Sequence, residues 1–216
     1  MRDVFAKVMK LRTEIKGNGC PTIFYNGLGR TGSAAIKHGF SETVAHWHGD
    51  IHFRHLFHTN IKVLDFITYC GQKHNFIPLV IECMRDPIAR RISEYIHYLK
   101  KNNIRGNIQE AHRAVRAHGF FEAPECLKWK KNADYKTLLL RYEDITKRKD
   151  IFEAIGYNYK PNMKNSSLKT VYAFVYNDLH ENLRFKRENL DKIYKHVEPF
   201  YTEAEIKTFK SKWEKR

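Results

Sequence analysis

The sequence predicts an α/β fold: three layers, with a central mostly parallel sheet flanked by helices, and a helix-rich C-terminus, in a single domain spanning residues 1–216. Three observations lead there. Strand-length apolar runs alternate with segments of helical periodicity, as in strands joined by crossover helices. Two runs, "FIPLVIECM" (76–84) and "YKTLLLRY" (135–142), are nearly continuous, the pattern of parallel strands buried on both faces. Three candidate strands also run into glycine-rich or charged segments, at 27–33, 85–87 and 141–144. Ligands of open parallel sheets bind beyond the carboxyl ends of the strands.

The elements follow in order. Val4, Val8, Leu11 and Ile15 recur at helical spacing, predicting a helix over 3–16. "PTIFYN" (21–26) is a strand, 27–33 a turn, and 33–38 opens a helix. "ETVAHW" (42–47) is a short strand. Residues 60–72 are helical, with Ile61, Leu64, Ile67 and Tyr69 as the apolar side. After the strand at 76–84, Pro87 fits the first turn of a helix running to about Lys101. The strand at 135–142 leads into a helix from Glu143 to Ile155, ended by Gly156. From about Leu168 onward the pattern is helical.

Composition bounds the function. The chain has 216 residues, 42% hydrophobic, so it folds around a full core. Its formal net charge of +15 favours an anionic partner: nucleic acid, acidic lipid, acidic glycan or a multiply charged nucleotide. Cys20, Cys70, Cys83 and Cys126 show no metal-like spacing and are expected as buried free thiols. The charged N-terminus lacks the apolar stretch of a signal peptide, and no run reaches the ~20 apolar residues of a membrane span. A soluble, cytoplasmic protein without stable membrane insertion is the expectation.

"IFYNGLGRTGSAAIKHGF" (23–40) has the layout of a phosphate cradle: strand, glycine-rich turn, helix start. Overlaid on GxxxxGK[ST], Gly27 and Gly32 match the glycines. Ser33 stands where a nucleotide triphosphatase has its lysine, and Ala34 where it has the magnesium-binding hydroxyl. The loop keeps amides for a phosphate but loses the groups for a γ-phosphate and Mg²⁺. Arg30 adds a permanent positive charge. In "RDPIARRISEYIHYL" (85–99), Arg85 ends a strand and Ser93 lies two turns into the next helix, with Arg90, Arg91 and His97 giving a basic flank. Arg85 and Ser93 together suit a second phosphate.

These segments resemble the sulfotransferases that use 3′-phosphoadenosine 5′-phosphosulfate (PAPS). "YNGLGRTGSAA" (25–35) is similar to the 5′-phosphosulfate loop, in the style of glycan 2-O-sulfotransferases. "RDPIARRISEY" (85–95) is similar to the 3′-phosphate motif R-D-P-x-x-R-x-x-S-x-Y, and "LLLRYEDI" (138–145) to a strand-to-helix segment of the family. The resemblance implies a P-loop-like fold. It implies that Arg30, Thr31, Gly32, Ser33 and Ala34 wrap the 5′-phosphosulfate, and that Arg85 and Ser93 hold the 3′-phosphate. The donor would be PAPS, the product 3′,5′-adenosine bisphosphate, with no metal expected. The acceptor would be a carbohydrate or other hydroxyl compound, acidic ones included. Gly29 stands where the family often has Pro, and Arg30 where many members have Lys. In such a transfer an acceptor attacks sulfur in line, and preorganised amides with Arg30 stabilise the charge growing on the leaving phosphate.

"AHWHGDIHFRHLFH" (45–58) carries His46, His48, His52, His55 and His58. Metal binding lacks a recognisable ligand set here. "WHGD" (47–50) resembles the "YHGH" stretch that supplies the base in glycan 2-O-sulfotransferases. Its first histidine falls on His48 and its second on Asp50. His48 is the preferred base, with Asp50 orienting or replacing it. "KNSSLK" (164–169) is either a segment closing over the nucleotide or a helix N-cap. The alternatives are a P-loop kinase-type phosphotransferase, which needs a lysine the loop lacks, and a basic nucleic-acid-binding protein using Lys100, Lys101, Lys130 and Lys131. The latter leaves the two-phosphate arrangement unexplained, so no nucleic-acid partner is expected.

Overall fold

The computed structural model describes residues 1–8, 21–27, 31, 36, 40, 44–117, 134–145, 149–154 and 171–215. The chain divides into two compact units, Met1–Cys83 with Pro124–Asn162, and Met84–Ala123 with Met163–Arg216.

The first unit carries the sheet. Its strands are β1 (Ile23–Asn26), β2 (Val44–Trp47), β3 (Leu79–Met84) and β4 (Lys136–Arg141), in the order β2-β1-β3-β4 and all parallel. Ile23 lies opposite Val44 on one side and Leu79 on the other. Side-chain alternation along each strand sorts the core into two. Ile23 and Tyr25 of β1, with Leu79, Ile81 and Cys83 of β3, face a cluster completed by Ile36, Phe40, Leu140, Ile145 and Phe152. Phe24 and Val80 face the other way, onto Val4, Val8, Trp47 and two helices, α1 (Gly49–Phe57) and α2 (Val63–His74). A sheet covered on both faces makes the expected three layers. Burying each such Ile, Val or Phe contributes roughly 1.5–3 kcal/mol.

Several boundaries differ from the sequence reading. α2 begins at Val63, not residue 60, because Asp50 Oδ1 accepts from the Val63 N–H at 2.8 Å while Lys62 stays extended. Its buried face is Val63, Phe66, Ile67 and Cys70; Leu64 and Tyr69 are only partly covered. β3 begins at Leu79 because Pro78 has no N–H for the ladder and residues 76–78 wrap against the end of α2. Gly71 permits that approach: a Cβ there would meet the Phe76 carbonyl oxygen at 2.8 Å. β4 is an edge strand and not a strand buried on both faces. Leu138 and Leu140 face the core, whereas Lys136, Thr137 and Leu139 are exposed. Beyond it, Tyr142–Asp144 forms a 3₁₀ turn, and the α-helix α5 covers Lys149–Ala154. Of the helix expected over 3–16, residues 2–8 are helical and the remainder lies outside the described residues.

The second unit is helical: α3 (Pro87–Lys101), α4 (Ile108–Ala117), α6 (Ala173–Asn182), α7 (Arg187–Ile193) and α8 (Glu203–Trp213). α3 starts as expected, with Asp86 accepting from the Ile88 N–H at 3.0 Å and Pro87 at the first position. Ile88, Ile92, Tyr95, Ile96 and Leu99 form its buried stripe. α3, α4 and α6 pack on one another. α8 opens with a capping box between Thr202 and Glu205. It is followed by a short parallel bridge, in which Phe185 N donates to Trp213 O (2.8 Å) and Lys215 N to Phe185 O (3.0 Å). Among the described residues no helix is long and apolar enough to cross a membrane. Cys70 and Cys83 are buried free thiols; Cys20 and Cys126 lie outside the described residues.

Candidate functional site

β1 ends at Asn26, and the chain enters the glycine-rich segment at Gly27. Arg30, Gly32, Ser33 and Ala34 lie outside the described residues. The segment's footing is nevertheless defined. Thr31 is wholly buried, and its hydroxyl lies 2.5 Å from the Tyr25 hydroxyl. The Tyr25 ring therefore passes close under Gly27: a Cβ at Gly27 would sit 2.7 Å from the phenol oxygen. Glycine is needed there for space. Burial holds the Tyr25 pKa well above its ordinary value, with the charges of Cys83 and Glu82 adding to the shift, so the phenol stays protonated. Beside it, Asn26 Nδ2 donates to Glu82 Oε1 at 3.1 Å, both side chains being buried.

β2 pairs with β1 and delivers the histidines. His48 follows β2 directly and stands at the N-cap position of α1 without a side-chain capping bond. Its Nδ1 lies 2.8 Å from the Gly27 carbonyl oxygen. A carbonyl only accepts, so Nδ1 carries the proton, and in the neutral ring Nε2 holds the lone pair. That tautomer is the one a general base uses. The His48 backbone N–H donates to His52 Nδ1 at 2.9 Å, one helical turn on. His46 packs edge-on against His48 at 4.5 Å between centroids, and His52 stacks on it at 5.3 Å. The His52 pKa is lowered, first by burial, then by the charges of His48 and His55.

Asp50, the other candidate base, accepts from Val63 N–H and lies 3.9 Å from Arg54. It thus ties α1 to the first turn of α2. His55 lies in α1, and His58 ends that helix in the left-handed conformation. Among the described residues no group of three or more His, Cys, Asp or Glu is arranged to hold a metal.

In the second unit, Arg85 leads into a network centred on Asp86, which is only 3% exposed. Besides capping α3, Asp86 Oδ1 accepts from the Tyr194 hydroxyl at 2.7 Å, and Oδ2 accepts from Trp213 Nε1 at 2.8 Å. Tyr194 and Trp213 are buried with it. Trp213 is flanked by the His180 ring at 5.5 Å and by Lys212 Nζ at 4.5 Å. His180 Nε2 is buried without a hydrogen-bond partner among the described residues. The His180 pKa falls to about 4, through burial first, then the charges of Lys212 and Arg85. Ser93 is 4% exposed on the buried side of α3. On the expected basic flank of α3, Glu94 lies 3.6 Å from Arg90 and 2.9 Å from Arg91 and offsets part of their charge, and Arg90 is itself buried. In the first unit, the cation at the end of β4 is likewise paired, Arg141 bonding Asp144. "KNSSLK" lies outside the described residues, as do Lys130 and Lys131.

Sequence reasoning singled out His48, Arg85 and Ser93 but not the groups packed around His48 and Asp86. The His48/His52 spacing of four across a helix start was available as a signal. Tyr194 and Trp213 had none, since they lie 108 and 127 residues from Asp86. Comparison with known proteins finds no matching family model, no matching curated protein and no matching solved structure.

Proposed function

We propose that the chain is a PAPS-dependent sulfotransferase acting on an acceptor hydroxyl, on a carbohydrate by preference. The observation that carries this reading is the docking of His48 Nδ1 on the Gly27 carbonyl. It ties a base-competent imidazole to the first residue of the glycine-rich segment. The bound donor supplies an activated sulfuryl group and an adenosine bisphosphate leaving group. His48 takes the acceptor proton at Nε2. The loop offers backbone amides for the 5′-phosphosulfate, with Arg30 neutralising charge on the leaving oxygen. The Thr31 hydroxyl lies against the buried Tyr25 hydroxyl, so this side chain faces the core. Arg85 and Ser93 bind the 3′-phosphate. Ser33 and Ala34, in place of the lysine and hydroxyl of nucleotide triphosphatases, favour a ligand that needs no Mg²⁺. The net charge of +15 suits both an anionic donor and an acidic saccharide.

Calorimetry with 3′,5′-adenosine bisphosphate and with ATP, each with and without Mg²⁺, tests the reading. The bisphosphate is expected to bind more tightly and independently of Mg²⁺. Equal or tighter ATP binding that requires Mg²⁺ overturns it.

A further inference from the structure

Asp86 sits next to Arg85 in sequence, yet its carboxylate is held by residues from the far end of the chain. One oxygen takes the Tyr194 hydroxyl at 2.7 Å and the other the Trp213 indole N–H at 2.8 Å. The first oxygen also caps α3 through Ile88 N–H. Both donors are themselves seated. Trp213 is the last residue of α8, and its carbonyl is bonded by Phe185 N–H in the bridge that ties down the tail. Tyr194 stacks on Phe209 of α8 at 6.1 Å. Such a carboxylate cannot swing without stranding buried donors, which costs about 1–3 kcal/mol for each. The backbone at Asp86 is therefore clamped from the side chain outward, and the Arg85 side chain starts from that clamped backbone. A chain with only helix-capping needs at this point would require the Ile88 bond alone. The two further donors hold the side chain at both oxygens.

We propose that Tyr194 and Trp213 are positioning residues for a phosphate-binding half-site at Arg85, so that the C-terminal helix and tail set the affinity for a nucleotide 3′-phosphate. This rests on the sulfotransferase reading for the identity of the phosphate. Neither residue touches the ligand; both act through Asp86 on the placement of the guanidinium.

The test is a double-mutant cycle read by calorimetry. Tyr194→Phe removes only the hydroxyl and keeps the ring; Trp213→Phe removes the indole N–H. Each is titrated with 3′,5′-adenosine bisphosphate and with adenosine 5′-monophosphate, which lacks the 3′-phosphate. Thermal melts confirm that each variant is folded. Tyr194→Phe is expected to weaken the bisphosphate roughly five- to tenfold and the monophosphate less than about twofold. In an Arg85→Ala background it is expected to add nothing further. Trp213→Phe should behave alike where it folds. Equal losses for the two ligands, unchanged bisphosphate affinity, or full additivity with Arg85→Ala overturns the positioning role and leaves the sulfotransferase reading standing. Failure of the unaltered chain to bind the bisphosphate overturns that reading, and this inference with it.

Discussion

The two units handle polar groups in opposite ways. Around His48 the groups are imidazoles, partly exposed, whose contacts include the Gly27 carbonyl and one another's rings. Around Asp86 they are fully enclosed, and at least three donors converge on one carboxylate. The first arrangement keeps its rings partly open to solvent, as a group that exchanges a proton with a ligand requires. The second forbids movement, because each buried donor must keep its acceptor. The proposed base has to change its protonation state during a reaction, whereas the proposed phosphate-binding arginine has only to stay in place. Five changes would break or sharpen that contrast.

The largest effect belongs to the histidine side. His48→Ala is expected to lower single-turnover sulfuryl transfer by about 10²–10⁴-fold, as for loss of a general base. Affinity for adenosine bisphosphate should stay within about twofold, since His48 is assigned to neither phosphate. Asp50→Asn should cost far less, because Asp50 caps α2 through Val63. A larger loss in Asp50→Asn than in His48→Ala would exchange their roles.

Next comes the enclosed carboxylate. Asp86→Ala leaves the Tyr194 hydroxyl and the Trp213 indole buried without an acceptor. It is expected to lower stability by roughly 2–5 kcal/mol, read as a shift in denaturant midpoint. An unshifted midpoint would mean that water readily replaces the carboxylate, and the contrast between the units would fail. Arg85→Ala should instead leave the midpoint nearly unchanged and weaken the bisphosphate by roughly 1.5–3 kcal/mol. Equal weakening of adenosine 5′-monophosphate would show that Arg85 does not read the 3′-phosphate.

The smallest effect concerns pH. The His180 pKa is about 4 in the folded chain, against 6.5 for the free side chain. Between those values the unfolded chain takes up a proton that the folded chain refuses, so stability is highest above about pH 6.5 and falls as the pH drops toward 4. The ring is partly open to solvent, which reduces the effect by screening. His180→Phe should flatten that limb of the stability profile measured by urea unfolding. An identical slope in the variant would assign the loss to other groups.

The parallel sheet was legible because its signal is local. β1, β2 and β3 alternate or run apolar over a few residues, and such runs pair wherever both faces find a cover. α3 was legible to its ends because Asp86 and Pro87 carry the start signal and the apolar stripe carries the length. His48, Arg85 and Ser93 were selectable because each stands in a short motif beside a strand end or in the following helix. β4 was misread because its apolar run does not reveal that Thr137 and Leu139 stay exposed; a position at the edge of the described sheet is a property of the sheet as a whole. Asp50 was a base or an orienting partner by motif alone, and its use by Val63 depends on where α2 begins. The tautomer of His48 needed the Gly27 carbonyl brought against it from 21 residues away. Tyr194 and Trp213 look in sequence like ordinary core aromatics. Only tertiary packing decided that their two polar atoms would meet one carboxylate, because a hydrogen bond needs an angstrom-scale match that residue types and local periodicity do not encode.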